Sequence, residues 1–189
     1  MRAAVFYATR EGQARRVAER VGTVLRAHRF EVDLFDVRGF HGTISWEAYN
    51  TAFVVASVHV GHYEREMRNF VRQYRDRLQA LSAAFLSLTL SQAGVQDATA
   101  PLHKRDEARA DVMRMIDVFT AETGWLPARS LPVAGALAYS QYNFLVRLVM
   151  RLIARKAGAP TDTSRDYEFT DFPAVDTFVL AHAAVALAG

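Results

Sequence analysis

Three short stretches of this chain combine small, hydroxyl-bearing and aromatic residues at the ends of apolar runs, where they could hold a ligand. The first is Thr9-Arg10-Glu11-Gly12-Gln13-Ala14, which follows the strand-like run Ala3 to Ala8 and opens an amphipathic helical stretch. A helix N-terminus presents N–H groups with no intrahelical partner and a partial positive charge, so an anion is stabilised there. The Thr9 hydroxyl can add a donor, and Gly12 lets the backbone come close to a ligand. Alone, one threonine and one glycine also fit a plain strand-to-helix turn. G-x-G-x-x-G and G-x-x-x-x-G-K-[ST] are both absent, which points away from a dinucleotide or a triphosphate and toward a mononucleotide or simple phosphate.

The second and third stretches are Ser57-Val58-His59-Val60-Gly61-His62-Tyr63 and Ser87-Leu88-Thr89-Leu90. Both suit a flat ring system, on which His59, His62 and Tyr63 could stack or to which they could hydrogen-bond. Each of these three, taken singly, reads equally well as a solvated loop residue. A fourth feature is basic: Arg147, Arg151 and Arg155, spaced four apart, border an apolar arc of Leu145, Val146, Leu148, Val149, Leu152 and Ile153. That pattern fits an interfacial helix at an anionic membrane surface, a helix packed on the domain, or a set of planar cations for an anionic substrate.

Composition narrows the chemistry. The chain has 189 residues, 51% hydrophobic and 23% charged, which suits a single globular domain over 1–189. Cysteine is absent, so thiolate metal sites, iron–sulfur clusters, disulfides and thiol nucleophiles are excluded, and no metal site is expected. Redox chemistry would need a bound organic cofactor. The net charge of +3, almost all from arginine, allows an anionic partner without demanding one. No apolar run reaches the roughly 18 residues of a membrane span, and the N-terminus lacks the apolar core of a signal peptide.

The elements that must position these residues follow from periodicity. Ala14, Val17, Ala18, Val21 and Leu25 share one face of a helix over 13–28. Strands are expected at 3–8, 30–37, 52–57, 83–90 and 131–137, with the third suited to a buried central position. Ser91 to Gly94 reads as a loop. A helix carrying Met67, Phe70, Val71, Tyr74 and Leu78 follows the third strand, another carrying Val112, Ile116 and Phe119 stops near Gly124, and Asp171 caps the last. Strands alternating with helices predict a doubly wound α/β sandwich with a parallel sheet. In the order 2-1-3-4-5 the three loops meet at one crevice beyond the carboxyl ends of the strands. The segment 139–167 exceeds what a crossover needs and reads as an insertion with a basic amphipathic helix before the last helix.

On these residues the chain resembles the menaquinone-dependent protoporphyrinogen oxidases, a flavodoxin-like branch of haem biosynthesis. The matching stretches are Thr9 to Gln13, Ser57 through Gly61-His62-Tyr63, Trp125-Leu126-Pro127 and Ala134-Gly135-Ala136-Leu137. Further matches are Tyr139 and Tyr142, Thr161-Asp162-Thr163, Tyr167 and Thr170-Asp171. The resemblance implies a flavodoxin-like doubly wound five-stranded parallel sheet that binds FMN without covalent attachment. It implies oxidation of protoporphyrinogen IX to protoporphyrin IX, with electrons passed to menaquinone or ubiquinone.

By the same resemblance, Thr9 to Gln13 would hold the FMN phosphate, with Ser57 to Tyr63 and Ser87 to Leu90 beside the isoalloxazine. Tyr139, Tyr142, Arg147, Arg151 and Arg155 would serve the substrate and the membrane, placing the protein peripherally on the cytoplasmic side of the inner membrane. Ala14 departs from the pattern, which has a threonine hydroxyl facing the phosphate. One lost charge-assisted hydrogen bond, about 1.5–3 kcal/mol, would weaken binding about 10- to 150-fold. No nucleic-acid partner is expected, no general base is identified, and homo-oligomerisation is left open. The alternatives are a flavodoxin-like electron carrier and a flavin-free interaction module of the same fold.

Overall fold

Ala3, Ala4, Val5 and Phe6 carry no polar side chain and are wholly buried on both faces of their strand, as a central parallel strand requires. They form β1 (Arg2–Tyr7) in a computed structural model that describes residues 1–59, 61–137 and 162–188. β1 pairs in parallel with β2 (Glu31–Asp36) on one side and β3 (Thr51–His59) on the other. The sheet continues through β5 (Ala84–Thr89) to β6 (Arg129–Ala134), giving the order β2-β1-β3-β5-β6. A short β4 (His62–Tyr63) folds back antiparallel on β3. With that hairpin strand set aside, the expected order 2-1-3-4-5 is found. The tyrosines and arginines expected in the insertion (Tyr139, Tyr142, Arg147, Arg151, Arg155), its helix, and Val60 lie outside the described residues.

Helices cover both faces of the sheet. On one side lie α1 (Gln13–Ala27) and α5 (Phe172–Ala188), whose Val17, Val21, Leu25, Val175 and Val179 meet Val5, Phe53, Val55 and Leu86. On the other, α2 (Arg65–Ala80) and α4 (Leu102–Thr123) bury Met67, Phe70, Val71, Ile116 and Phe119 against Phe6, Val54 and Phe85. Gly124, at φ 69°, ends α4 in the left-handed conformation, where the sequence placed its stop. Asp171 Oδ1 accepts the Ala174 N–H at 3.0 Å and so opens α5 as expected.

Two expectations were wrong. Ser91 to Gly94, read as a loop, begins α3 (Ser91–Gln96). The Thr89 hydroxyl accepts the Gln92 N–H at 3.1 Å and supplies a cap from outside the helix, which hydropathy does not display. The strand read over 131–137 is broken at Gly135. Its last residues form β7 (Ala136–Leu137), which leaves the main sheet to pair with β8 (Tyr167–Glu168).

The His182 side chain on α5 is an acid-sensitive point in this core. It is 4% exposed, neither ring nitrogen has a hydrogen-bond partner, and it stands edge-on to Phe53 with ring centroids 5.1 Å apart. Burial, reinforced by the Arg129 charge, pulls its pKa down to about 4. The unfolded chain binds this proton near the ordinary value of about 6.5, so the contribution is whole above that pH and is lost as pH falls toward 4. The urea midpoint should fall through this range, and His182→Leu should flatten that part of the profile; an unchanged slope would refute the assignment.

Candidate functional site at the strand ends

The β1–α1 loop is organised by a turn of its own. Thr9 Oγ1 accepts the Gly12 N–H at 2.8 Å, and Gly12 takes φ +84°, a conformation that strains residues with a Cβ. The Arg38 guanidinium donates to the Thr9 carbonyl from the far side. The Thr9 hydroxyl thus spends a lone pair on the turn and keeps its own proton for a ligand. Among the described residues nothing comes within 4 Å of where a Gly12 Cβ would stand, so space is open beside it. Gly12 is the N-cap of α1 and has no side chain to cap with, while the first N–H groups of the helix lack intrahelical partners.

Gln13 and Ala14 turn their side chains away from this opening. The Gln13 amide donates to Glu168 Oε1 at 2.8 Å and to the Thr170 hydroxyl at 2.7 Å, and Thr170 in turn donates to the Ala134 carbonyl. Arg16 pairs with the other oxygen of Glu168 at 2.8 Å. This brace ties the start of α1 to the chain beyond β7. Ala14 is wholly buried among residues between α1 and the sheet.

At the end of β3 the chain stays extended past Ser57 to His59, turns at Gly61 with φ +79°, and returns as β4, with Val58 facing Tyr63 and His59 facing His62. This hairpin corrects the reading of Tyr63 as a loop residue. Tyr63 is 3% exposed, its ring lies 4.7 Å from Phe119 and 5.7 Å from Phe85, and its hydroxyl meets Ser87 Oγ at 2.6 Å. Burial raises its pKa, and the Ser87 bond offsets only part of that. Period-two pairing in the hairpin turns Tyr63 inward and leaves Gly61 and His62 exposed. Ser57, Ser87, Leu88 and Thr89 are buried, while Val58, His59 and Leu90 are half-buried.

The electrostatic centre is a residue that the sequence reading missed. Glu64, the N-cap of α2, has a side chain only 1% exposed. Its Oε2 accepts from Arg10 Nε at 2.6 Å, and its Oε1 stands 3.2 Å from His59 Nε2. His59 Nδ1 lies 3.7 Å from Glu11 Oε1, and Arg10 Nη2 reaches Glu66 at 3.5 Å. Burial raises the Glu64 pKa, but His59 and Arg10 outweigh it and leave the net value below the usual carboxylate range. For His59, burial lowers the pKa, whereas Glu64 and Glu11 outweigh it and leave the value raised. An acidic residue beside a helix start is too common a pattern to have singled out Glu64.

Loops from β1, β3 and β5 therefore share one edge of the sheet, because β3 pairs with both β1 and β5. The open side of Gly12 lies at the α1 N-terminus, where unpaired N–H groups favour an anion, and Gly61 and His62 are exposed on the neighbouring hairpin. Grooves of about 440 Å³ on either side of Ile44 involve none of these loops and lie toward the β2 edge. Among the described residues no cluster suited to a metal ion is present, and no helix is long and apolar enough to cross a membrane.

Comparison with known proteins bears on this arrangement. The chain is 28% identical over 184 residues, covering 96% of each chain, to a protein of Escherichia coli K12 named protoporphyrinogen IX dehydrogenase [quinone]. A protein of the same name from Leishmania major is 26% identical over 97% of this chain and 75% of its own. Among solved structures, a short-chain flavodoxin associated with a PDU bacterial microcompartment matches with a TM-score of 0.57 at 14% identity, over 98% of this chain and 99% of that one. The oxidised flavodoxin 1 of Bacillus cereus matches with a TM-score of 0.50 at 12% identity, over 97% and 98%. A family model described as a flavodoxin domain matches residues 4–164. With most of β1, the loop that follows it and the rest of the parallel sheet inside that match, the chain belongs to the flavodoxin domain family.

Proposed function

We propose that the protein is an FMN-dependent oxidoreductase that converts protoporphyrinogen IX to protoporphyrin IX and passes the electrons to menaquinone or ubiquinone. The observation that carries this reading is the end-to-end similarity to the Escherichia coli dehydrogenase, over 96% of both chains. The strand-end loops support it. The open side of Gly12 leaves room for a phosphate at the α1 N-terminus, with the Thr9 hydroxyl and the Gln13 and Ala14 N–H groups as donors. Because the Ala14 methyl is buried, that position offers a ligand only its backbone.

FMN would supply the redox chemistry that a chain without cysteine has no thiol to perform. Ser57 to Tyr63 and Ser87 to Leu90 would flank its ring system, with His62 and Gly61 at the accessible rim and Tyr63 holding Ser87 from within. Tyr139, Tyr142, Arg147, Arg151 and Arg155 would meet the substrate and an anionic membrane surface, where a quinone is found. A peripheral position on the inner membrane follows from that role.

The protein should be yellow as purified or turn yellow with FMN, at near one-to-one stoichiometry. Without oxygen, it should then form fluorescent porphyrin from protoporphyrinogen IX when a soluble quinone is added. Failure to take up FMN would sink the proposal, whereas electron exchange with a reductase and none with quinone would identify an electron carrier instead. Replacing Arg147, Arg151 and Arg155 together by glutamine should weaken sedimentation with vesicles containing anionic lipid by about 5-fold per arginine. Unchanged sedimentation would remove the membrane role.

A further inference from the structure

Four charged or titratable groups at the site come from two distant segments and alternate in space. Arg10 and Glu11 belong to the β1–α1 loop, whereas His59 ends β3 and Glu64 caps α2. The Arg10–Glu64 bond alone spans 54 residues of sequence. Each Glu64 oxygen faces a different partner, Oε2 toward Arg10 at 2.6 Å and Oε1 toward His59 at 3.2 Å. His59 closes the circuit, because its other nitrogen lies 3.7 Å from Glu11 on the first loop. With both nitrogens turned to carboxylates, the imidazole acts as a bridge between segments.

We propose that Glu64 is a positioning residue whose buried carboxylate, hydrogen-bonded to Arg10 through Oε2 and held to a protonated His59 by charge alone through Oε1, fastens the β1–α1 loop to the β3–β4 hairpin. It thereby sets the distance between the anion cradle and the rim beside it. For its functional consequence the inference rests on the flavin reading above, since a cofactor that spans cradle and rim needs both at fixed separation. Two glycines at positive φ, Gly12 and Gly61, make the two turns. Such turns are permissive hinges unless something outside them holds them. A carboxylate 1% exposed supplies that hold, because removing either cation leaves a buried charge with only one of its two partners.

The clamp depends on protons. The groups facing His59 are Arg10 and Glu11 from the loop, Glu64 from α2, with Glu66 behind Arg10, and His62 across the hairpin. With His59 protonated and both Glu64 and Glu11 ionised, the circuit carries two charges of each sign. It loosens as pH rises through the raised value of His59, and again as pH falls through the depressed value of Glu64.

Hydrogen exchange in the flavin-free protein and FMN titration by fluorescence test this together. Glu64→Gln and Arg10→Gln should each speed amide exchange in both 9–12 and 59–63 and raise the FMN dissociation constant by roughly 10-fold. The double variant should be no worse than the worse single one, because both act on one contact. Arg10 is half-exposed, so its variant decides the matter if Glu64→Gln fails to fold. FMN affinity of the native protein should fall as pH rises through the raised value of His59, and His59→Gln should flatten that profile. Unchanged exchange in both segments, additive single effects, or a pH profile untouched by His59→Gln would each overturn the clamp. If the native protein binds no FMN, the oxidoreductase reading fails, and the exchange arm still decides the clamp.

Discussion

A parallel strand covered on both faces must satisfy its backbone groups through its neighbours alone, and it can meet a parallel neighbour only through a crossover. β1 is that strand here, with Ala3 to Phe6 wholly buried between β2 and β3. Each crossover returns the chain to the same end of the sheet before the next strand begins, so the loops leaving β1, β3 and β5 emerge at one edge. The crossover helices α1 and α2 are amphipathic for the same reason, since each must offer one face to the sheet. The position of the candidate site is therefore a consequence of sheet topology.

Much of what the site offers a ligand is backbone. The turn at Thr9 to Gly12 and the open end of α1 depend on main-chain geometry, and the neighbouring side chains are occupied elsewhere: Gln13 in the brace to Glu168 and Thr170, Ala14 in the core. A cradle of this type tolerates side-chain change as long as the turn survives, which is how alanine can stand at position 14. The hairpin follows similar economy. Its inward residue, Tyr63, joins Phe85 and Phe119 in the core and orients Ser87 through its hydroxyl, while its outward residues stay accessible.

Charge is distributed unevenly between the two ends of the molecule. At the strand carboxyl ends, Arg10, Glu11, His59 and Glu64 balance one another at short range, and the buried carboxylate is held ionised by its cationic neighbours. On α5, His182 sits neutral and without a hydrogen-bond partner beside Phe53 and Phe178. Desolvation acts on both groups, and the presence or absence of a counter-charge decides which is charged.

Hydrophobic period and turn residues alone determined most of the element types, the central place of β3, the stop at Gly124 and the cap at Asp171, because those signals are local and repeat along the chain. The three strand-end stretches were legible for the same reason: each ends an apolar run. What each side chain does there was decided only by the tertiary structure. Tyr63 looked like a loop residue and packs into the core, because the register of a two-residue strand sets its face. Ser91 to Gly94 looked like a loop and is helical, because its cap comes from Thr89 outside it. Glu64 went unnoticed, because its meaning lies in Arg10 and His59, which only the folded sheet brings to opposite sides of one carboxylate.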